Sequence, residues 1–262
     1  MKTKIMIALF LMFPVSVVFA GGISVHKVSD DLHVLNAGGL SANMGLIQLE
    51  DTLVLIDPMP GKGRLPELDK LIQSISDKPI AFILNTHFHN DHNGGNSYFM
   101  ENGAMLVDDA VGVEGFERVQ LVSHTTGDTV FYHKASNTIF TGDIYDRSWH
   151  PTFYAGGVSG LNAAVDRILE LGDERSLIVP GHGSPAYKPS LREFRENTLK
   201  WVDLVRELRK QGMSEAQMQK NKRILAMVEA FNVEKASPFL PEKAFVRFIE
   251  RTVAIVDRET AP

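Results

Sequence analysis

The chain has 262 residues, enough for one large domain with a sizeable core, and its 44% hydrophobic and 23% charged residues are ordinary for a globular protein. Its formal net charge of −5 comes without a long basic run, so nucleic-acid binding has little electrostatic support. The absence of cysteine excludes disulfides and thiolate ligands, so any metal must be held by nitrogen and oxygen.

The first twenty residues have the layout of a secretory signal peptide. Lys2 and Lys4 give a positively charged N-terminal region, residues 5–18 are apolar, and Ala20 ends a segment with the small residue typical of a cleavage site. The apolar run is about 14 residues long and Pro14 interrupts it, whereas a membrane span needs about 20 residues. We therefore predict export to the periplasm or beyond, cleavage after Ala20, no stable membrane anchor, and one mature domain over 21–262 with a helical C-terminal segment.

The predicted elements of the mature chain begin with β-rich runs. The segments ISVHKVS, DLHVLNA, MGLIQLE and TLVLIDP are separated by turn residues. Apolar residues at helical spacing predict a helix over 65–75, and the continuous apolar run 80–84 predicts a buried strand. The loop NAGGLSAN, residues 36–43, joins two early strands and is predicted to act either as a flap over a site or as a plain turn.

The second half alternates strands with helices and ends in helices. Strands are predicted over 104–107, 119–123, 129–133, 138–140 and 176–179. Helices are predicted over 160–171, 191–210, 213–230 and 242–256. Strand alternation predicts structural or surface roles for His26, His33 and His133. The helical Trp201 is expected in the core.

The stretch NTHFHNDHNGG, residues 85–95, directly follows the buried strand 80–84 and is rich in metal-capable groups. A polar surface loop is the simple interpretation. However, three more such groups also follow strands: His124 after VQLVS, Asp143 after TIF, and His182 after SLIV. Because α/β folds place their sites on loops at strand ends, the repetition favours a single metal site over a chance His-rich loop.

The chemistry of these groups favours two zinc ions. Zinc accepts imidazole nitrogen and carboxylate oxygen, and paired ions lie about 3.5–4 Å apart around a bridging carboxylate and water. Water bound to such ions ionises near neutral pH and provides hydroxide. The predicted ligands are His87, His89 and His124 for one ion, Asp91, His92 and His182 for the other, and Asp143 between them; Asp91 is also predicted to take part in catalysis.

The segments HFHNDH, SHTTGD, FTGD and VPGHG, in this order, resemble the motifs of the metallo-β-lactamase superfamily, which includes β-lactamases, glyoxalase II-type thioesterases, lactonases and RNA-processing nucleases. The resemblance implies an α/β fold of four layers, an αββα sandwich with two mixed sheets, outer helices and metals at one edge. It also implies that Asp57 orients a ligand histidine, with capping of the next helix as the alternative. Asp143 matches the thioesterase, lactonase and nuclease branches, whereas the segment between His92 and His124 is shorter than in most relatives.

The resemblance implies an exported dinuclear zinc hydrolase that acts on a small ester, thioester, lactone or β-lactam. A mononuclear iron oxidoreductase of the persulfide-dioxygenase type is the alternative within the fold, and a non-catalytic binding protein is a third. Flavin-linked diiron members carry glutamate where this chain has His89. The loop after Asp143 is predicted to line the pocket, and its residues Trp149, His150 and Phe153 either contact the substrate or do not.

Overall fold

Two mixed β-sheets form the centre of the molecule. The computed structural model describes residues 16–18, 22–39, 41–107 and 112–260. In the first sheet the strands lie in chain order; the β5–β6 and β6–β7 pairs are parallel and the others antiparallel. Its strands are β1 Ser16–Val18, β2 Ser24–Lys27, β3 Leu32–Asn36, β4 Asn43–Gln48, β5 Leu53–Ile56, β6 Ile80–Leu84 and β7 Met105–Leu106.

The second sheet has the strand order β12-β11-β10-β9-β8. Only its β10–β11 pair is parallel among the described pairs. Its strands are β8 Phe116–Leu121, β9 Asp128–His133, β10 Thr138–Gly142, β11 Leu177–Pro180 and β12 Ala186–Tyr187.

Helices cover the outer faces of both sheets. Their bounds are α1 Leu65–Ile75, α2 Asn90–Asn93, α3 Asn96–Glu101, α4 Gly157–Glu170, α5 Lys188–Lys210, α6 Glu215–Met218, α7 Lys222–Glu229 and α8 Glu242–Thr260. No helix in the described part of the chain is long and apolar enough to cross a membrane.

Alternate residues of strand β5 face different layers of the fold. All four of its residues are buried, which is the pattern of a strand covered on both faces. Leu53 and Leu55 pack in the cluster that includes residues of α1, whereas Val54 and Ile56 pack in the cluster between the two sheets. A third cluster joins the second sheet to α4, α5 and α8. The result is helix, sheet, sheet, helix, which confirms the predicted αββα sandwich.

The two sheets are in close contact at Gly45 in β4. A Cβ atom at this position would lie 2.7 Å from a ring carbon of Phe140 and 3.2 Å from Cβ of Ile56. Any side chain there would overlap the aromatic ring that reaches across from the second sheet. Gly45 therefore fixes the local spacing of the sandwich.

Several predicted elements differ from the structure at their ends. Helix α1 and strand β6 have the predicted bounds, but β8 ends at Leu121 because the N–H of Ser123 donates to the Asp128 carboxylate instead of a strand partner. The single helix predicted over 213–230 is two helices, because Asn221 caps α7 by accepting from two backbone N–H groups.

The predicted signal peptide lies almost wholly outside the described residues. Within it the structure describes the backbone of β1, which pairs with β2.

Candidate metal centre

The predicted ligands all lie at one edge of the sandwich. The first four follow β6, in the loop that leads into α2 and in α2 itself, and the others follow β8, β10 and β11. Two groups of four side chains result, with the candidate donor atoms of each within 4.8 Å of one another. The first group is His87, His89, His124 and Asp143, and the second group is Asp91, His92, Asp143 and His182.

The first group presents three imidazole nitrogens to a common point. Nδ1 of His89 lies 3.1 Å from Nε2 of His87 and 2.9 Å from Nε2 of His124. These two Nε2 atoms lie 3.9 and 3.5 Å from Oδ2 of Asp143. The nitrogens thus converge on one side of a single carboxylate oxygen.

The second group faces the other oxygen of the same carboxylate. Oδ1 of Asp143 lies 3.1 Å from Nε2 of His92 and 3.5 Å from Nε2 of His182. Nε2 of His182 also lies 3.5 Å from Oδ2 of Asp91, whose side chain is 53% exposed. Asp143 therefore presents one oxygen to each group, as a bridging ligand would.

Three of the histidines are held through their outer ring nitrogens. Nδ1 of His92 donates to Oδ2 of Asp57 at 2.9 Å, and Nδ1 of His124 donates to the Thr152 carbonyl at 2.9 Å. The Thr86 hydroxyl donates to Asp57 at 2.6 Å, so it accepts from Nδ1 of His87 at 3.1 Å. In each neutral ring the proton is therefore on Nδ1, and the lone pair of Nε2 faces the group.

Asp57 has the role that the resemblance implied. Helix α1 has Arg64 at its N-cap, so Asp57 does not cap it. The Asp57 backbone adopts a φ of 50°, unusual for a residue other than glycine, and its side chain accepts from His92 and from both the N–H and hydroxyl of Thr86. One buried carboxylate thus orients a histidine of each group.

The charges differ between the two groups. Burial lowers the pKa of His87 to about 3, helped by the nearby His92, and burial also lowers the pKa of His89. Burial opposes charge on His92 too, but the carboxylates of Asp143 and Asp57 outweigh it and raise the pKa of His92 well above its usual value. In the same way, against burial, Asp143 and Asp91 raise the pKa of His182 to about 9.

Glycines make room for the shared carboxylate. A Cβ at Gly181 would lie 2.0 Å from Oδ1 of Asp143, and one at Gly142 would lie 2.5 Å from the Thr86 hydroxyl oxygen. Gly142 also has a φ of 51°, in the left-handed region. The glycines of the TGD and PGH segments therefore bring the strand ends together around Asp143.

The donor set fits divalent ions. Nε2 of His92 and Oδ1 of Asp143 are buried and lie 3.1 Å apart, but their geometry completes no hydrogen bond within the described residues, which is costly unless another group binds them. Only imidazole nitrogens and carboxylate oxygens are offered, and zinc accepts both. Each group could hold one ion, with Asp143 contributing to both.

The remaining sequence predictions have mixed outcomes. Trp201 is fully buried, as predicted, and His33 and His133 are buried in their strands. In the loop after Asp143, His150 stacks on Phe248 at 4.3 Å between ring centres, and its exposure is 3%. Phe153 is 1% exposed and belongs to the core behind the second sheet, so of these aromatic candidates only the half-buried Trp149 remains for substrate contact.

The loop over residues 36–43 lines a cleft of about 900 Å³ through Asn36, Gly38, Gly39 and Asn43, together with Ser148 and Gly183. None of the seven candidate ligands lines this cleft, so a flap over the metal site stays a prediction. The segment between His92 and His124 contributes α3, whose Phe99 packs into the core cluster of the first sheet rather than over the site.

Sequence reasoning missed the residues that hold the ligand loops. Thr86 lies between the end of β6 and His87, and Asp128 binds the backbone N–H groups of Ser123 and Thr125 on both sides of His124. Asn43 binds the loop that carries His182. Thr86 lies in the segment NTHFHNDHNGG and Asp128 in SHTTGD, so their positions in these motifs could have indicated a supporting role. Asn43 lies far along the chain from the loop that it binds, and no local pattern indicates its role.

Comparisons with known proteins agree with this geometry. The family model described as the metallo-beta-lactamase superfamily matches residues 37–107, which include the first four candidate ligands. A probable hydroxyacylglutathione hydrolase from Schizosaccharomyces pombe is 26% identical over 159 residues. That alignment covers 52% of this chain and 62% of the yeast protein, so the chain spans less than two thirds of its relative's length.

Solved structures show the same fold. A metallo-beta-lactamase from Pontibacter korlensis superposes with a TM-score of 0.56 at 17% sequence identity. The match covers 66% of this chain and 97% of that protein.

Proposed function

Because this chain belongs to the metallo-beta-lactamase superfamily, we propose that it is an exported hydrolase that binds two zinc ions and cleaves an acyl bond. The substrate class is a small ester, thioester, lactone or β-lactam. One observation carries the proposal: the two oxygens of Asp143 face two separate groups of candidate ligands. A mononuclear site has no need of the second group.

The ions would supply the electrophile and the nucleophile. The two groups would hold zinc, which when bound would polarise a carbonyl oxygen and lower the pKa of a bound water toward 7. The protein's part is to orient the imidazoles. Asp57, Thr86 and the Thr152 carbonyl do this by holding the Nδ1 protons of three rings away from the centre.

Asp91 is the most accessible acidic member of the centre. The hydrogen bond from His182 lowers its pKa to about 2, so it stays ionised at neutral pH. It can therefore accept a hydrogen bond from an attacking water and orient it, but it cannot donate a proton to a leaving group. This is the catalytic role that we propose for Asp91.

The surroundings of the first group support an organic substrate. Phe88 is 59% exposed, and its ring centre lies 5.1 Å from that of His89. Val122, two residues before His124, is 50% exposed. An exposed aromatic ring beside the candidate ligand His89 favours a substrate with an apolar part next to its reactive carbonyl. The name of the yeast relative, a probable hydroxyacylglutathione hydrolase, supports an acyl compound in particular.

A hydrolysis screen tests the proposal. Zinc-loaded protein is offered a glutathione thioester, a lactone, an aryl ester and a β-lactam in parallel. We expect turnover of at least one class and loss of most of it in His182→Ala. His26→Gln is the control, because His26 is a half-buried histidine outside both groups. Fully zinc-loaded protein that cleaves none of the four classes would contradict the proposal.

Export is a separate part of the proposal and rests on the charged and apolar start of the sequence. Intact-mass measurement of protein recovered from a bacterial periplasm tests it. We expect a chain that starts at Gly21. Protein that still carries Met1 would contradict cleavage.

A further inference from the structure

We propose that Asn43 is a positioning residue that holds His182 in place through the backbone on both sides of it. The inference rests on the proposed two-ion site and concerns the second group of ligands. Asn43 is the first residue of β4, so it belongs to the first sheet, whereas His182 follows β11 of the second sheet.

His182 differs from three other ligand histidines in how its ring is held. The outer nitrogens of His87, His92 and His124 each have a hydrogen-bond partner. Nδ1 of His182 is buried and has no partner within the described residues. Because no side chain fixes this ring from behind, its aim depends on the backbone that carries it.

Asn43 binds that backbone at three carbonyl groups. Its N–H donates to Gly181 at 2.8 Å, and its Nδ2 donates to Pro180 at 2.9 Å and to Gly183 at 2.7 Å. The side chain is 4% exposed, and its Oδ1 accepts from Asn36 at 2.9 Å. Carbonyl oxygens only accept, so the amide can take only this orientation. The bonded residues lie on both sides of His182.

The His182 loop needs an external support of this kind. Gly183 has a φ of 85°, and Gly181 must lack a Cβ to admit the Asp143 carboxylate. Glycines on both sides of a residue leave its backbone many accessible conformations. A buried amide with two donors selects one of them, and it adds no charge next to the carboxylates of the site.

Asp128 performs the matching task in the first group and supplies the control. Its carboxylate accepts from the N–H groups of Ser123 and Thr125, which flank His124, at 3.0 Å each. Each residue therefore supports one loop and one histidine. A variant at Asp128 should lower the zinc affinity of the first group, and a variant at Asn43 should lower the zinc affinity of the second group.

Zinc titration of the mature chain tests the inference. Affinities for both ions are measured by chelator competition in wild type, Asn43→Ala and Asp128→Asn, together with thermal unfolding of the metal-free proteins. Loss of an outer partner typically lowers metal affinity about 10–100-fold. We expect a loss of this size for one ion in Asn43→Ala, with the other affinity unchanged.

Double variants identify which ion is affected. In a His182→Ala background, Asn43→Ala should cause no further loss, because its action passes through His182. In a His124→Ala background, Asn43→Ala should cause the same loss as in wild type. If Asn43→Ala does not fold, Asn36→Ala removes the partner of Asn43 Oδ1, together with the bonds of Asn36 to Gly38 and Ser41, and should weaken binding of the same ion less.

Three results would overturn the inference: unchanged zinc affinities in Asn43→Ala, an equal loss at both ions with a lower melting temperature, or a full further loss in the His182→Ala background. Wild-type protein that binds fewer than two zinc ions would instead contradict the proposed function and the inference with it. The wild-type titration therefore distinguishes the two failures.

Discussion

Replacing Asp57 by asparagine tests how one buried carboxylate serves both groups. Oδ2 accepts from His92 and from the Thr86 hydroxyl, and Oδ1 accepts from the Thr86 N–H. In the variant, the amide oxygen of the new side chain can still accept from the Thr86 N–H. The amide NH2 group then takes the place of Oδ2 and faces two other donors, the Thr86 hydroxyl and Nδ1 of His92. His92 must move its proton to Nε2, the atom that faces the second group, and this atom can no longer bind an ion.

The size of the effect follows from these contacts. Two hydrogen bonds to a charged group are lost, each worth roughly 1.5–3 kcal/mol, and rotation of the hydroxyl and the new imidazole tautomer recover part of the loss. We expect a net loss of about 3 kcal/mol in the free energy of unfolding of the metal-free protein. For a chain of this size that lowers the melting temperature by about 6–12 °C. Zinc affinity of the second group should fall about 10–100-fold.

Calorimetric unfolding and zinc competition measure both quantities in the same preparation. Thr86→Val is the matched comparison, because it keeps the bond between Asp57 and His92 but removes the link to His87. It should therefore weaken the first group. An Asp57→Asn protein with unchanged melting temperature and two wild-type zinc affinities would refute this account of the centre.

Three further predictions concern packing and protons. Gly45→Val places a side chain against the Phe140 ring, because a Cβ atom at position 45 would lie only 2.7 Å from a carbon of that ring. The substitution should lower the free energy of unfolding, measured by denaturant titration, by about 1–3 kcal/mol. Trp201→Ala empties a fully buried site and should cost about 3–5 kcal/mol in the same assay, whereas a loss near zero would contradict its core position. Zinc uptake should release protons, because the nearby carboxylates raise the pKa of His182 to about 9 and this ring binds zinc only when neutral. Zinc affinity should therefore rise with pH up to about 9. Calorimetry in buffers of different ionisation enthalpy measures the protons released, and zinc binding without proton release would contradict the prediction.

Much of the site could be predicted from the sequence because its ligands follow short apolar strands. The bounds predicted for the strand 80–84 agree with those of β6. The candidate ligands that follow this strand lie at the same sheet edge as those that follow the other strands, as strand-end ligands are expected to do. The pairing of Asp143 with both groups was likewise expected from its motif. Residues that obey local rules, such as strand periodicity and motif spacing, are the ones that sequence reasoning finds.

The supporting residues could not be predicted in the same way. Asn43 and Gly183 are 140 positions apart, and their hydrogen bond depends on how the two sheets pack. The sequence leaves open whether His150 contacts the substrate; its ring stacks on Phe248 of α8, a contact across the fold with no local signal. Tertiary packing decided both cases.

The most direct test of the central claim pairs metal content with turnover in oxygen-free buffer for wild type and Asp143→Asn. This substitution keeps the shape of the side chain but removes the charge that two cations would share. We expect two zinc ions per wild-type chain, hydrolysis without oxygen, and loss of one ion in Asp143→Asn with turnover lower by about a hundredfold or more. Wild-type protein that holds one iron ion and turns over only with oxygen would contradict the proposed two-zinc hydrolase.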